Sequence, residues 1–524
     1  MNPASNLWRT RRTRGIARIA KLALMLAGML VSAVSAQEAS STPRAAPSVL
    51  ARPTTGQLPA LGDGSELGAA AERRLGDRIA REIYRDPDYL DDPVLVEYVD
   101  GIWKPLLAAA RARGDISAEL DERFAWEIML GRDRSINAFA LPGGYLGLHL
   151  GLIAVVSSRD ELASVLAHEL SHVTQRHISR LTSKQSEQRP WLIGAMILGA
   201  LAASKSADAA NALLAGGQAV ALQNQLNFSR DMEREADRVG FAVMTQAGFA
   251  PQGFVAMFDK LQQAARLNDN GAFPYLRGHP LTSERIADMQ SRQPTGVAGV
   301  VEVKLEHAMV SARARVLSNP GVDILRQLLA DAAPELIVDG SSARQAGALY
   351  AGALAAARLR DFPAARNAVT RLGALVRAAP AAQRLATLLM AEVAQQAGDL
   401  APDLKPLGRP ELFLSAQSQI GRGNAALAAQ SLSAWLSTHP RDAAAWQLLS
   451  AASAAQGQAL RAIRADAEAR VAQLDYAGAL ERFKAAQILL RSAQSASLDH
   501  IEASIIDTRT RAVQSLFREQ SLER

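Results

Sequence analysis

The stretch Val165-Leu166-Ala167-His168-Glu169-Leu170-Ser171-His172 carries two histidines four positions apart, with a glutamate beside the first. On an α-helix such positions are separated by about 40° around the axis and about 6 Å along it, so His168 and His172 converge and could share a metal ion. Glu169 lies about 60° from His172 on the same side, placed to take a proton from water at the metal rather than to ligate. Upstream, Glu161, Leu162, Val165 and Leu166 supply helical periodicity, and Ser157, Ser158 or Asp160 can cap its start. HExxH on a helix is the arrangement a zinc hydrolase needs, and the reading here is a metallopeptidase.

Three fixed residues also recur by chance, so the third ligand decides. The extended pattern HExxHxxGxxH fails: Gln175 stands at its glycine, Ile178 at its third histidine, and His177 is one position short. From His172 through Glu233 the only acids are Glu187, Asp208, Asp231 and Glu233. Glu187 sits in a polar stretch ending at Pro190, which reads as loop. Glu233 lies in Ser229-Arg230-Asp231-Met232-Glu233-Arg234-Glu235-Ala236-Asp237, a run of helix formers with Met232, Ala236, Val239 and Val243 at helical spacing. On its face Ala236 and Gly240 are small enough to admit a second helix closely. Asp237, one turn on, could accept the free ring N–H of a ligand histidine. The bland alternative is a solvated helix laced with Glu–Arg pairs; with HExxH upstream, Glu233 is the preferred ligand.

These residues resemble the gluzincin family of the HtpX heat-shock proteases and the CAAX-prenyl endopeptidases. HExxH is followed about sixty residues later by SRxxExxAD; Asn137 to Gly144 (NAFALPGG) and Gly278-His279-Pro280-Leu281 with Arg285-Ile286 match further family elements in order. The resemblance covers roughly Leu67 to Arg292. It implies one zinc ion per chain held by His168, His172 and Glu233, with Glu169 as catalytic base. His279 has two open roles: hydrogen bonding to a developing oxyanion, or occupying the metal's open position in a resting state.

The expected fold is mainly α with a small β-sheet, an α+β zincin-like domain followed by an all-α domain. Phe124 to Leu150 alternates β-prone residues around Pro142-Gly143-Gly144 and reads as strands, whose edge could take up an extended peptide. Glu66 to Tyr84 and Pro93 to Arg113 read as helices. Trp191 to Ala203 is apolar throughout but spans only about 20 Å as helix, too short for a bilayer core of about 30 Å; it reads as buried, with peripheral membrane contact as the alternative. Beyond Val300 the chain turns to Ala, Leu, Gln and Arg. Ala343 to Leu516 reads as helix pairs with breaks near Pro363, Gly398 to Pro410, Gly421 to Gly423, Pro440 and Gly457, and pieces such as Tyr476 to Phe483 resemble tetratricopeptide repeats of irregular spacing.

The 524 residues carry 58 basic and 52 acidic side chains. Arg9, Arg11, Arg12, Arg14, Arg18 and Lys21 precede the first acid, and without those six the rest is formally neutral, so no nucleic-acid surface is called for. They lead into an apolar run from Leu22 to Val34 and then Val34-Ser35-Ala36, a secretory signal. There is no cysteine, so neither disulfides nor thiolate ligands enter. The expected domains are 1–36 signal peptide, 37–65 flexible linker, 66–300 metalloprotease, 301–342 helical connector and 343–524 repeat-like helices. An export signal, an HtpX-like protease and C-terminal repeats together are similar to the periplasmic proteases that assist outer-membrane β-barrel assembly. That similarity implies a periplasmic place and unfolded or misassembled outer-membrane proteins as substrates. It also implies a chaperone role and contact of the repeats with the barrel-assembly machinery. A repeat-based adaptor with a silenced or structural zinc site is the alternative.

Overall fold

The computed structural model describes residues 67–183, 229–266, 274–293, 303–319, 321–333, 341–399, 404–492 and 500–522. The expected signal peptide, the linker to 65, Glu187, Trp191 to Ala203 and Asp208 lie outside these residues.

Helix α1, Ala69–Arg85, and helix α2, Pro93–Arg113, are the first elements. Asp92 caps α2 by accepting from the Leu95 N–H, Pro93 opens it where no amide donor is missed, and Gly114 ends it with a left-handed φ of 78°. After α3, Ala118–Arg123, come three short strands: β1, Glu127–Gly131; β2, Ala138–Leu141; and β3, Tyr145–His149. β3 is central and wholly buried, parallel to β1 (Met129 opposite Gly147) and antiparallel to β2 (Ala140 opposite Leu146). Gly143 and Gly144, at φ 72° and 83°, make the reversal between β2 and β3.

Helix α4, Leu150–Val155, leads to α5, Arg159–Thr174, which holds the HExxH stretch. Its start is doubly capped: Ser158 Oγ accepts from the Glu161 N–H at 3.1 Å, and Glu161 Oε2 accepts from the Ser157 N–H at 2.8 Å. Every residue from Glu161 to Thr174 is buried, so α5 is a core helix rather than a surface one. The chain continues through α6, His177–Ser183; α7, Arg230–Gln246, capped by Ser229; α8, Gln252–Arg266; α9, Pro274–Gly278; and α10, Ser283–Ser291.

The remainder is helical: α11, Leu305–Ser318; α12, Val322–Ala330; α13, Ser342–Arg358; α14, Phe362–Leu375; α15, Pro380–Ala397; α16, Arg409–Gly421; α17, Ala425–Thr438; α18, Ala443–Ala455; α19, Ala459–Ala472; α20, Tyr476–Ser492; and α21, His500–Leu522. From α13 onward, successive helices pack on one another. The starts of α16 and α18, Arg409 and Ala443, are 34 positions apart, as are those of α17 and α19, Ala425 and Ala459; 34 residues is the length of a tetratricopeptide unit.

One apolar core runs without a break from Ala69 to Val393, so the compositional change near Val300 does not coincide with a division of the core. Separate clusters follow, Leu412 to Ala465 and Ala467 to Val513. The start of α2 ties the two regions together. Buried Arg313 of α11 grips Asp92 with two hydrogen bonds (2.8 and 2.7 Å) and Glu392 of α15 with one (2.8 Å), and donates to the Tyr350 hydroxyl at 3.2 Å. Arg409 pairs with Asp91 at 2.6 and 2.7 Å, and Arg384 pairs with Glu97. No helix among the described residues is long and apolar enough to cross a membrane.

Candidate metal centre

Helices α5 and α7 meet because Gly240 lets them. A Cβ there would stand 3.0 Å from the Ala167 carbonyl oxygen and 3.1 Å from the His168 nitrogen, so any larger residue pushes the two backbones apart at the first histidine. With the helices this close, Glu233 reaches both imidazoles: Oε2 lies 3.4 Å from His168 Nε2 and Oε1 3.5 Å from His172 Nε2, while the two Nε2 atoms are 3.0 Å apart. His279 joins from just beyond α9, its Nδ1 3.3 Å from His168 Nε2 and 3.1 Å from Glu233 Oε1. Its ring stacks on Tyr275 at 4.6 Å between centroids, and its backbone N–H donates to the Tyr275 carbonyl.

All four residues are buried, and their donor atoms lie within 4.8 Å of one another. A tetrahedral zinc with bonds of about 2.0–2.1 Å has edges of about 3.3–3.4 Å between donors, and the separations here, 3.0 to 3.5 Å, match that figure. The site's potential also suits a cation. Burial pushes the His168 imidazole down, but the Asp237 and Glu233 carboxylates outweigh it and hold it up at about 9. Burial and neighbouring His168 keep His172 well below the ordinary histidine value, as a neutral ligand requires.

Each donor is held from behind. Asp237 Oδ1 lies 2.9 Å from His168 Nδ1. Arg285 grips Asp237 with Nε at 2.6 Å and Nη2 at 2.8 Å; its Nη1 contacts Glu233 Oε2 at 2.8 Å and donates to the Pro280 carbonyl, next to His279, at 2.8 Å. One guanidinium therefore reaches the supports of three donors. Glu169 accepts from the Ala140 N–H of β2 at 2.9 Å through Oε2, and its Oε1 lies 3.4 Å from His279 Nε2. Burial, partly offset by His279 and His168, pushes its carboxyl above the ordinary carboxylate range, the direction suited to a group that takes up and returns a proton.

The structure thus brings together His168, Glu169, His172, Glu233, Asp237 and His279; Asp231 points to solvent, its side chain 86% exposed. Two participants carry no role in the sequence reading. Arg285 appears there only as part of a resemblance, and His177 only as a histidine out of register for ligation. Yet His177 is buried against the site, its Nδ1 2.9 Å from His172 Nδ1.

Residues 108–293 match Peptidase family M48. Helical architecture, small sheet, donor set and this match define a zinc metalloprotease. A Putative beta-barrel assembly-enhancing protease of Vibrio cholerae is 35% identical over 327 residues, 60% of this chain and 63% of that one, a little under two thirds of its length. The Beta-barrel assembly-enhancing protease of Escherichia coli K12 is 30% identical over 457 residues, covering 84% of this chain and 90% of that one. The Mitochondrial metalloendopeptidase OMA1 of Saccharomyces cerevisiae is 28% identical over 201 residues, 37% of this chain and 55% of that one. The chain belongs to the family of beta-barrel assembly-enhancing proteases.

Proposed function

We propose that this chain is a periplasmic endopeptidase that hydrolyses peptide bonds of misfolded or stalled outer-membrane proteins. In this reading His168, His172 and Glu233 hold the zinc and Glu169 moves the proton. The observation that carries the chemistry is the convergence of three donors from two helices at tetrahedral spacing, with a buried carboxylate beside them. The names of the relatives supply the substrate class.

When bound, zinc supplies the Lewis acidity that polarises the scissile carbonyl and makes water nucleophilic near neutral pH. Glu169 takes the proton of the attacking water and returns it to the leaving amide nitrogen. Asp237 fixes His168 with Nε2 free, and Arg285 keeps Asp237 ionised and orients both Asp237 and Glu233. The helices past 400, with their 34-residue offset, supply surfaces for substrate or for the barrel-assembly machinery.

Glu169→Gln is expected to keep the fold and bind zinc one to one while losing casein digestion, and a chelator abolishes digestion by the wild type. Intact digestion by zinc-loaded Glu169→Gln would remove Glu169 from the mechanism.

His279 favours a second feature. Its Nδ1 stands at the fourth corner of the donor set, where an incoming carbonyl or water must come, so it restrains the resting enzyme. His279→Ala should then digest casein faster than wild type; slower digestion would instead assign it to the oxyanion. If Glu169→Gln still complements an envelope defect, an adaptor or chaperone role of the helices carries the function in the cell.

A further inference from the structure

The two histidines of the HExxH stretch are supported unequally. His168 Nδ1 meets a carboxylate directly, Asp237, whereas His172 Nδ1 faces the Nδ1 of His177 at 2.9 Å. The far nitrogen of His177, Nε2, lies 3.1 Å from Glu235 Oε2, and that oxygen also accepts from Arg180 Nη1 at 2.9 Å.

When His172 offers Nε2 to a metal, one arrangement of protons satisfies these three contacts together. His172 then carries its proton on Nδ1 and donates to His177 Nδ1. His177 must therefore carry its own proton on Nε2 and donate to Glu235, which accepts. Each ring is fixed in one tautomer, and the row ends on a carboxylate whose charge is answered by Arg180. Local backbone geometry serves the same end. Arg176 closes the turn between α5 and α6 in the left-handed region, φ 53°, unusual for a residue with a side chain, and it is anchored there by the buried Glu72 at 2.8 Å. That turn brings His177, five positions on from His172, back against it; a helix continuing straight would carry it about 140° away around the axis.

We infer that His177 is a positioning residue for the metal centre: it accepts the hydrogen bond of His172 Nδ1–H and, through Glu235, fixes the tautomer and ring orientation in which His172 presents Nε2. It does for His172 by relay what Asp237 does for His168 directly. This inference rests on the zinc site proposed above.

The test measures zinc affinity in the purified full-length chain by competition with a chromophoric chelator, alongside the unfolding temperature of the zinc-free protein. His177→Phe keeps a buried ring of similar size but removes the acceptor, and is expected to weaken zinc binding on the order of 10- to 100-fold, the usual effect of losing such a support. His177→Asn, whose carboxamide oxygen can take the place of Nδ1, is expected to stay within about threefold of wild type, on the same scale. Glu235→Ala, at a position whose side chain is 32% exposed, provides a variant that folds even if His177→Phe does not, and is expected to fall between the two.

Wild-type affinity in His177→Phe, or in Glu235→Ala should the former not fold, overturns the inference, as does an equal loss in His177→Asn and His177→Phe, which would mark a packing role. Failure of the wild type itself to bind zinc would overturn the proposed site and this inference with it; normal wild-type binding with unaffected variants overturns the inference alone.

Discussion

Arg285 and Arg313 make the same local construction in two regions. Each is buried, each grips an aspartate with two hydrogen bonds, and each reaches a glutamate with its remaining amine: Asp237 and Glu233 for one, Asp92 and Glu392 for the other. The difference lies in what the carboxylates touch beyond the arginine. Asp237 and Glu233 go on to His168 and His172, so the guanidinium sets the orientation of a donor set. Asp92 goes on to the Leu95 amide at the start of α2, and Arg313 itself to the Tyr350 hydroxyl, so the second construction joins one helix start to three helices of the C-terminal region. An ion triad does not announce its role by its own geometry; the role is set one contact further out.

That comparison can be broken by substitution. Arg313→Leu leaves Asp92 buried without its counter-ion and is expected to cost about 3–5 kcal/mol in urea unfolding, with zinc affinity of the folded protein unchanged. Arg285→Met is expected to cost zinc affinity by about 10- to 100-fold. Its second signature is linkage. At a fixed zinc concentration the metal raises the unfolding temperature of wild type and Arg313→Leu by similar steps, while in Arg285→Met the step shrinks because the ratio of zinc to its dissociation constant has fallen. Equal zinc steps in all three proteins would make the two triads alike.

Acid sharpens the contrast further. Burial pushes the Asp92 carboxyl up, but Arg313 and the Leu95 and Val94 amides pull it down more strongly, so its folded value lies below the ordinary carboxylate range. A depressed folded value gives stability that is complete above the unfolded value of about 3.9 and is lost as pH falls through the folded one. The unfolding free energy of wild type is therefore expected to fall below about pH 4 more steeply than that of Asp92→Asn, measured across the same buffers. At the other extreme, Arg366 and Asp399 pair at the surface with half of each side chain exposed, and Arg366→Ala should change stability by less than about 1 kcal/mol.

Much of this was legible in residue order. Ser157, Ser158 and Asp160 bracket the start of α5, and helical spacing places His168, Glu169 and His172 on one rod. Glu233 follows because few acids compete with it. What stayed hidden was long-range or unpunctuated. That β1 runs parallel to β3, with β3 in the centre, depends on which strand each edge meets, and no local pattern encodes that. The helix break at 473–475 contains neither Gly nor Pro; Leu474 makes it in the left-handed region at φ 61°. Without that boundary, and with Gly398 to Pro410 interrupting the earlier pairs, the 34-residue offset is obscured. The spacing of His177 excludes it from the HExxHxxGxxH ligand pattern and carries no sign of its contact with His172, and Arg285 pairs with residues 48 and 52 positions away.

The bond from Ala140 N–H to Glu169 ties that buried carboxylate to the edge strand of the sheet. Because that amide is already engaged, a polypeptide laid along β2 meets an interruption in its ladder at this residue and must accommodate it. A polypeptide added along β2 would therefore lie one amide away from the Glu169 carboxylate, and any shift of Ala140 on its arrival would reach that carboxylate directly.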